Sequence, residues 1–362
     1  MSLLSRRRAE GHRLERMQAS RQFADGAFVN TYPSGAERVP ESGTTLANMA
    51  DYWLNADQRM PSKPLTALDP LHAWARPVET GLRATWLGHS TVLLEIDGMR
   101  VLTDPVWGQR ASPFSFAGPR RFQPVPVDIA ALPPLDAVLI SHDHYDHLDY
   151  PSIRALAALE VPFITSLGVG MHLEAWGVPA ERITELDWWE YAVVGGLTIT
   201  AAPAHHFSGR GLRDRNATLW SSFAVRGERH GVFFSGDTGL SPLFSEIGAR
   251  LGPFDLVMIE VGAFHPSWGH VHLGPQNALQ AWSQLGSGRL LPVHWGTFNL
   301  AMHPWQEPAE VLFAEAPEGL VMPRLGEPVE PARTGAVQPW WRDLLEEPRR
   351  GVVLPAGGLG AL

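Results

Sequence analysis

Ser141-His142-Asp143-His144-Tyr145-Asp146-His147 follows directly on the apolar run Ala137-Val138-Leu139-Ile140. The heptad reads H-x-H-x-D-H and packs three imidazoles and two carboxylates into residues 142–147. A strand end is where an α/β protein builds its site. Imidazole and carboxylate together suit zinc, manganese or iron(II). The spacing is too tight for one ion to take every side chain. It predicts two adjacent ions, with His142 and His144 on one and Asp146 and His147 on the other. A solvated turn is the bland alternative, but turns prefer Gly, Asn, Asp and Ser to histidine.

Working outward, the bulk composition narrows the classes. The chain has 362 residues, enough for one large domain or two. It contains no cysteine, so any metal must be held by His, Asp or Glu. A formal net charge of −9 opposes nucleic-acid binding, which needs a basic footprint. No run reaches the roughly 18 apolar residues of a membrane span. Met1 to Arg21 is Arg-rich but lacks the apolar segment of a secretory signal. The expectation is a cytoplasmic protein, without signal peptide or transmembrane segment and with at most peripheral membrane contact. A homodimer is compatible with this reading.

Residues 1–80 are Pro-, Ser- and Asn-rich and read as an extension packing on or flanking the core. Residues 81–332 read as the domain that carries the chemistry, and 333–362 as an irregular tail. Strands are expected at 84–87 and 92–96, with Asp97-Gly98 turning the chain into a third at 100–103. Further strands are expected at 137–140, 161–165, 197–200, 222–225, 231–234, 255–259 and 289–293. Helices are expected at 151–159, 170–176 and 275–285, the first and last opening with proline. Strands mixed with helices over this length imply an α/β layered domain.

The remaining metal-capable residues repeat the theme of the heptad. The strand at 197 leads into Pro203-Ala204-His205-His206, that at 231 into Gly236-Asp237-Thr238-Gly239, and that at 289 into His294-Trp295-Gly296. If these strands end at one sheet edge, the side chains converge. Two metals need about seven protein donors, and a bridging carboxylate holds ions about 3.5–4 Å apart. Asp104, at the end of a strand, is expected behind the metal ligands, because a bound imidazole gives its other N–H to a carboxylate or carbonyl. His89 in Gly88-His89-Ser90 is read the same way, or as a structural turn.

On these motifs the chain resembles the metallo-β-lactamase fold superfamily. Trp86-Leu87-Gly88-His89-Ser90-Thr91, Leu102-Thr103-Asp104-Pro105, Ser112-Pro113, Phe234-Ser235-Gly236-Asp237-Thr238-Gly239 and His294-Trp295-Gly296-Thr297-Phe298 are similar to one branch, that of the N-acylphosphatidylethanolamine-hydrolysing phospholipase D and its bacterial relatives. The resemblance runs from about Arg83 to Pro304. It implies a four-layer αββα sandwich and two divalent metal ions, zinc first, with manganese or iron(II) as alternatives. It places His142, His144 and His206 on one ion, Asp146, His147 and His294 on the other, and Asp237 as the bridge. His205 competes with His206; relatives tend to carry one histidine before an aromatic, and His206 precedes Phe207, which favours His206.

The implied chemistry is attack of metal-activated water on phosphorus, with Asp146 orienting the water and His272 donating to a phosphoryl oxygen or to the leaving group. His270 is a rival for that role. The implied substrate is an N-acyl phospholipid or another small phosphodiester, and aromatic loops such as Pro113 to Phe116 and Phe264 to Trp268 are candidates for acyl contact. The alternatives are a sugar-phosphate lactonase or other ester hydrolase of the same fold, and a metal-binding protein without turnover. Nuclease action is disfavoured: the 31 positions from His206 to Asp237 leave no room for a large nucleic-acid-binding insert.

Overall fold

The computed structural model describes residues 9–32, 56–265, 271–315 and 318–344. In chain order the regular elements begin with α1 (Gly11–Ala19), the hairpin β1 (Phe23–Ala24) and β2 (Ala27–Phe28), and the short α2 (Leu71–Trp74). Then come β3 (Leu82–Gly88), β4 (Thr91–Ile96), β5 (Met99–Thr103), β6 (Ala137–Ile140), α3 (Tyr150–Leu156), β7 (Phe163–Ser166), α4 (Gly170–Ala175) and β8 (Ile183–Leu186). The second half holds β9 (Tyr191–Val194), β10 (Leu197–Ala202), β11 (Ser222–Arg226), β12 (Gly231–Phe234), α5 (Leu243–Leu251) and β13 (Leu256–Glu260). It closes with α6 (Gly274–Gln284), β14 (Arg289–Val293), α7 (Glu307–Glu315) and β15 (Pro328–Val329).

Two mixed sheets result, ordered β15-β3-β4-β5-β6-β7-β8 and β14-β13-β12-β11-β10-β9. Strand alternation explains how they stack. In β4, Val92, Leu94 and Ile96 enter the main core, while Leu93 faces the other way. In β6, Ala137 and Leu139 point to the main core, and Val138 and Ile140 to the outer face. That outer face is covered by Ile153 and Leu156 of α3 and by Leu173 of α4. The second sheet is covered by Phe244 of α5, Ala278 of α6 and Leu312 of α7, which join the main cluster. The layers are therefore helix, sheet, sheet, helix, and the central strands of both sheets are buried on both faces, as near-continuous apolar strands require.

Local chemistry sets the joints. Asp97 and Gly98 both have positive φ and turn β4 into β5 with Ile96 opposite Met99, the geometry of a two-residue hairpin. Asp149 caps α3 by accepting the Ser152 amide, with Pro151 in the first turn. Several elements have no clear sequence signature: the short strands β1, β2 and β15, and β8, β9, α5 and α7. β9 is an edge strand exposed along one side, where little burial is demanded of its residues.

Both ends of the described chain pack on this frame. In α1, Arg13 pairs with Glu185 and Glu174 beside β8. Phe28 is fully buried among Trp188, Leu219 and Trp220. Within the expected tail, Trp340–Leu344 forms a short 3-10 turn, and Trp340 and Trp341 are buried in the main core. No helix among the described residues is long and apolar enough to cross a membrane.

Candidate metal centre

β5 to β8 run parallel to one another, as do β12 to β14, so their C-terminal ends share an edge. Asp104 follows β5, the heptad follows β6, Asp237 lies just beyond β12, Glu260 ends β13 and His294 follows β14. His89 arrives from the β3–β4 turn. His89 and His294 both adopt positive φ, rare for residues with a Cβ and a known mark of functional sites. Their rings pack with centroids 4.1 Å apart.

Three overlapping groups of donors converge, the third made of Asp237, Glu260, His272 and His294. In the first, His142 Nε2 and His144 Nδ1 are 2.8 Å apart, and His206 Nε2 lies 3.2 Å from the same His144 nitrogen. Asp237 Oδ2 is 3.7 Å from His142 Nε2 and 3.6 Å from His206 Nε2. In the second, Asp146 Oδ2 lies 2.9 Å from His89 Nε2, 3.3 Å from His294 Nε2 and 3.6 Å from His147 Nε2. Asp237 faces this group too, with Oδ1 3.1 Å from His147 Nε2 and Oδ2 3.2 Å from His294 Nε2. Asp237 thus stands between these two groups. His89 Nε2 lies at hydrogen-bond distance from Asp146 Oδ2, the contact a residue behind the ligands would make, and is itself one of the donors of the second group.

The outward ring nitrogens of His142, His147 and His206 are committed elsewhere, whereas Nδ1 of His294 and of His89 has no hydrogen-bond partner. His147 Nδ1 donates to Asp104 Oδ2 at 2.7 Å. Ser141 Oγ donates to the same oxygen at 2.6 Å and contacts His142 Nδ1 at 2.9 Å. His206 Nδ1 donates to the Val271 carbonyl at 2.9 Å. A proton fixed on the outward nitrogen leaves the inward one with its lone pair, the state a metal ligand needs. The inward His147 Nε2 and Asp237 Oδ1 are buried and have no hydrogen-bond partner. Buried polar atoms are seldom left so. A divalent cation bound by imidazole and carboxylate fits this donor set.

The electrostatics show how tightly the groups are coupled. Burial pushes His142 and His206 well below the usual imidazole range. Burial acts the same way on His147 and His294, but Asp237 and Asp146 outweigh it. His147 sits well above its ordinary value and His294 is raised to about 10. Burial opposes the charge of Asp237, yet His147 and His294 hold it well below the usual carboxylate range. Cationic imidazoles neutralise the carboxylates when no metal does.

His272 lies at the rim, its ring 5.1 Å from that of His206 and 5.3 Å from that of His294. Burial lowers its pKa, but Glu260 outweighs this and raises it. His270 and the stretch up to Trp268 from Pro266 lie outside the described residues. His205 belongs to none of the convergent groups; its backbone pairs with Thr238 Oγ1 and Gly239 N. Pro113, Phe114, Phe116, Tyr145, Tyr150 and Arg210 line a groove of about 590 Å³ beside the heptad. Phe116 is 79% exposed there.

Two residues escaped the sequence reading. Glu260, fully buried, bonds His272. Asn30, in the N-terminal extension, clamps His206: its Nδ2 donates to the His206 carbonyl at 2.9 Å, and its Oδ1 accepts the His206 amide at 3.1 Å. A polar residue closing an apolar strand was the only available signal for Glu260. Asn30 had none.

Comparison with known proteins agrees with this fold. Residues 99–295 match the family model of the beta-lactamase superfamily domain. The chain is 46% identical over 334 residues to an uncharacterised protein of Mycobacterium tuberculosis H37Rv, covering 90% of this chain and 88% of that one. It is 41% identical over 257 residues to N-acyl-phosphatidylethanolamine-hydrolyzing phospholipase D 1 of Caenorhabditis elegans, covering 67% and 70%. Among solved structures, an isothiocyanate hydrolase from Delia radicum gut bacteria superposes with a TM-score of 0.56 at 20% identity, over 68% of this chain and 98% of the other, a likeness of fold. With its αββα layers, its ring of His and Asp donors at one sheet edge and these matches, the chain belongs to the metallo-β-lactamase superfamily of metal-dependent hydrolases, and within it resembles the N-acylphosphatidylethanolamine-hydrolysing phospholipase D branch.

Proposed function

We propose that the protein is a dinuclear-metal phosphodiesterase that cleaves N-acyl phosphatidylethanolamine-like phospholipids. The observation that carries the substrate class is the 41% identity to the nematode phospholipase D. The convergent donor set supports the metal chemistry. His142, His144 and His206 would hold one cation and Asp146, His147 and His294 the other, with Asp237 serving both. Zinc is the expected ion. Bound divalent cations lower the pKa of a coordinated water from 15.7 to about 7 and neutralise charge building on phosphoryl oxygens.

The chain's own residues supply the rest. Asp104 fixes His147 directly and His142 through Ser141 Oγ. Asp146, held by His89, orients the attacking water. His272 hands a proton to the alcohol oxygen as its bond to phosphorus breaks, giving phosphatidic acid and an N-acyl ethanolamine. The aromatic groove beside the heptad gives an acyl chain an apolar wall.

The test combines metal analysis of the purified chain with product identification by mass spectrometry. Substrates are N-acyl phosphatidylethanolamine in mixed micelles and a sugar-phosphate lactone. Two metal equivalents, phosphatidic acid plus N-acyl amine, and loss of turnover on chelation are expected. A ring-opened acid alone would assign the chain to lactone hydrolysis. Metal-loaded protein inert on both would overturn the enzymatic reading.

A further inference from the structure

Glu260 closes β13 at the centre of the candidate site and is fully buried. Its Oε1 accepts the Thr238 amide at 2.9 Å and the Leu273 amide at 3.2 Å. Its Oε2 accepts His272 Nδ1 at 2.7 Å and lies 3.7 Å from His294 Nδ1. Thr238 follows Asp237, and Leu273 follows His272. One side chain therefore joins the Asp237 loop, the segment entering α6 and the His272 ring. Both oxygens are already taken by donors of the chain, which sets Glu260 apart from Asp237, whose Oδ1 has no hydrogen-bond partner.

We infer that Glu260 is the positioning residue for His272: its carboxylate keeps the Nδ1 proton, so that the imidazolium gives its Nε2 proton to the leaving group and the neutral ring left behind is the Nδ1–H tautomer. A neutral imidazole has one donor and one acceptor nitrogen, and an ionised carboxylate only accepts. Contact with Glu260 therefore puts the proton on Nδ1. Glutamine has nearly the same shape but different hydrogen-bonding logic. Its oxygen can keep the Thr238 and Leu273 amides, and its NH₂ then faces His272 Nδ1 and requires an acceptor there. The neutral ring then carries its only proton on Nε2, and the imidazolium that gives a proton readily is disfavoured, because its Nδ1–H would meet the amide N–H. A carboxylate-to-amide change behind a catalytic imidazole elsewhere acts in this way, by selecting the wrong tautomer with geometry intact. The inference rests on the proposed role of His272 at the leaving group.

The test uses the full chain, loaded with zinc and carrying ¹⁵N-labelled histidine. Imidazole nitrogen shifts of the neutral ring should report His272 as Nδ1–H in the wild type and as Nε2–H in Glu260→Gln, with two zinc equivalents in both. Glu260→Gln should lower kcat by about 10- to 100-fold, the usual size for losing such a partner, and leave KM within about twofold. In a His272→Ala background it should cost nothing further. Glu260→Asp, which keeps a carboxylate, should retain the Nδ1–H tautomer and recover part of the rate, and it decides the matter if the glutamine variant does not fold. An Nε2–H tautomer in the wild type, an unchanged tautomer in Glu260→Gln, loss of zinc or additive losses in the double variant would each overturn the inference. The tautomer readout needs no substrate. If the loaded wild type cleaves no phosphodiester, the proposed function fails while the nitrogen shifts still decide the role of Glu260.

Discussion

Asp104 and Glu260 are both buried carboxylates at strand ends, one on each sheet, and both accept an imidazole Nδ1 at 2.7 Å. They differ in what they hold. Asp104 takes the Ser141 amide, the Ser141 hydroxyl and His147, so everything it touches lies in the heptad. Glu260 takes Thr238, Leu273 and His272, drawn from two separate segments. On the proposed reading, Asp104 sets the tautomers of metal ligands, while Glu260 sets that of a residue beside the metals. The same chemical device supports metal affinity on one sheet and proton handling on the other.

The largest effect expected from breaking this contrast comes from Asp104→Asn. The amide has one acceptor oxygen, so it cannot take the Ser141 backbone N–H on one side and His147 with the Ser141 hydroxyl on the other, and metal affinity should fall by about 10- to 100-fold. Competition with a chelator measures this. Glu260→Gln, tested alongside, should keep wild-type affinity, and equal losses in both would erase the distinction between the two carboxylates.

A second effect concerns pH. In the metal-free protein His294 is raised to about 10 and His147 well above its ordinary value. Metal must displace those protons, so loading near pH 7 should release them and tighten as pH rises. Calorimetry in buffers of different ionisation enthalpy counts the protons. The sign for stability comes from linkage. A folded-state pKa above the unfolded value near 6.5 contributes stability that is complete below 6.5 and is lost as pH rises through about 10. The melting temperature of metal-free protein should therefore fall between pH 7 and 9, and that of the zinc-loaded protein should not. A flat metal-free profile would mean that the carboxylates do not hold these imidazoles charged.

The smallest effect belongs to Asn30→Ala. It leaves the buried His206 amide and carbonyl without their partner, a cost of about 1–3 kcal/mol for an orphaned buried group. Melting should drop and metal affinity weaken by less than about tenfold, because Val271 still holds the His206 ring. A loss as large as that of Asp104→Asn would place the N-terminal extension on a par with the heptad.

Legibility tracked the range of the physics involved. The heptad was readable because ligand chemistry and strand alternation are local: an apolar strand must end, and the residues just past its end lie at a sheet edge, open to function. Asp104 was readable for the same reason, since a carboxylate closing a strand near several histidines has an obvious partner. Glu260 also closes a strand, but a glutamate there reads as the point where the chain meets solvent. Its burial exists because β13 lies between β12 and β14 and because Leu273 and His272 fold back over it. The choice between His205 and His206 turns on which side of the backbone faces the centre. Asn30 clamps that backbone from 176 positions away.

The amino-acid sequence by itself determined the ligand types, the strand ends that carry them and the layered α/β class, because each depends on neighbours within a few residues. Tertiary structure alone decided that Asp237 stands between the two groups, that His206 faces inward, that His89 reaches Asp146 and that Glu260 governs His272. These are contacts between segments far apart in the chain. They are set by how two sheets stack and in what order their strands lie, and no local pattern encodes that.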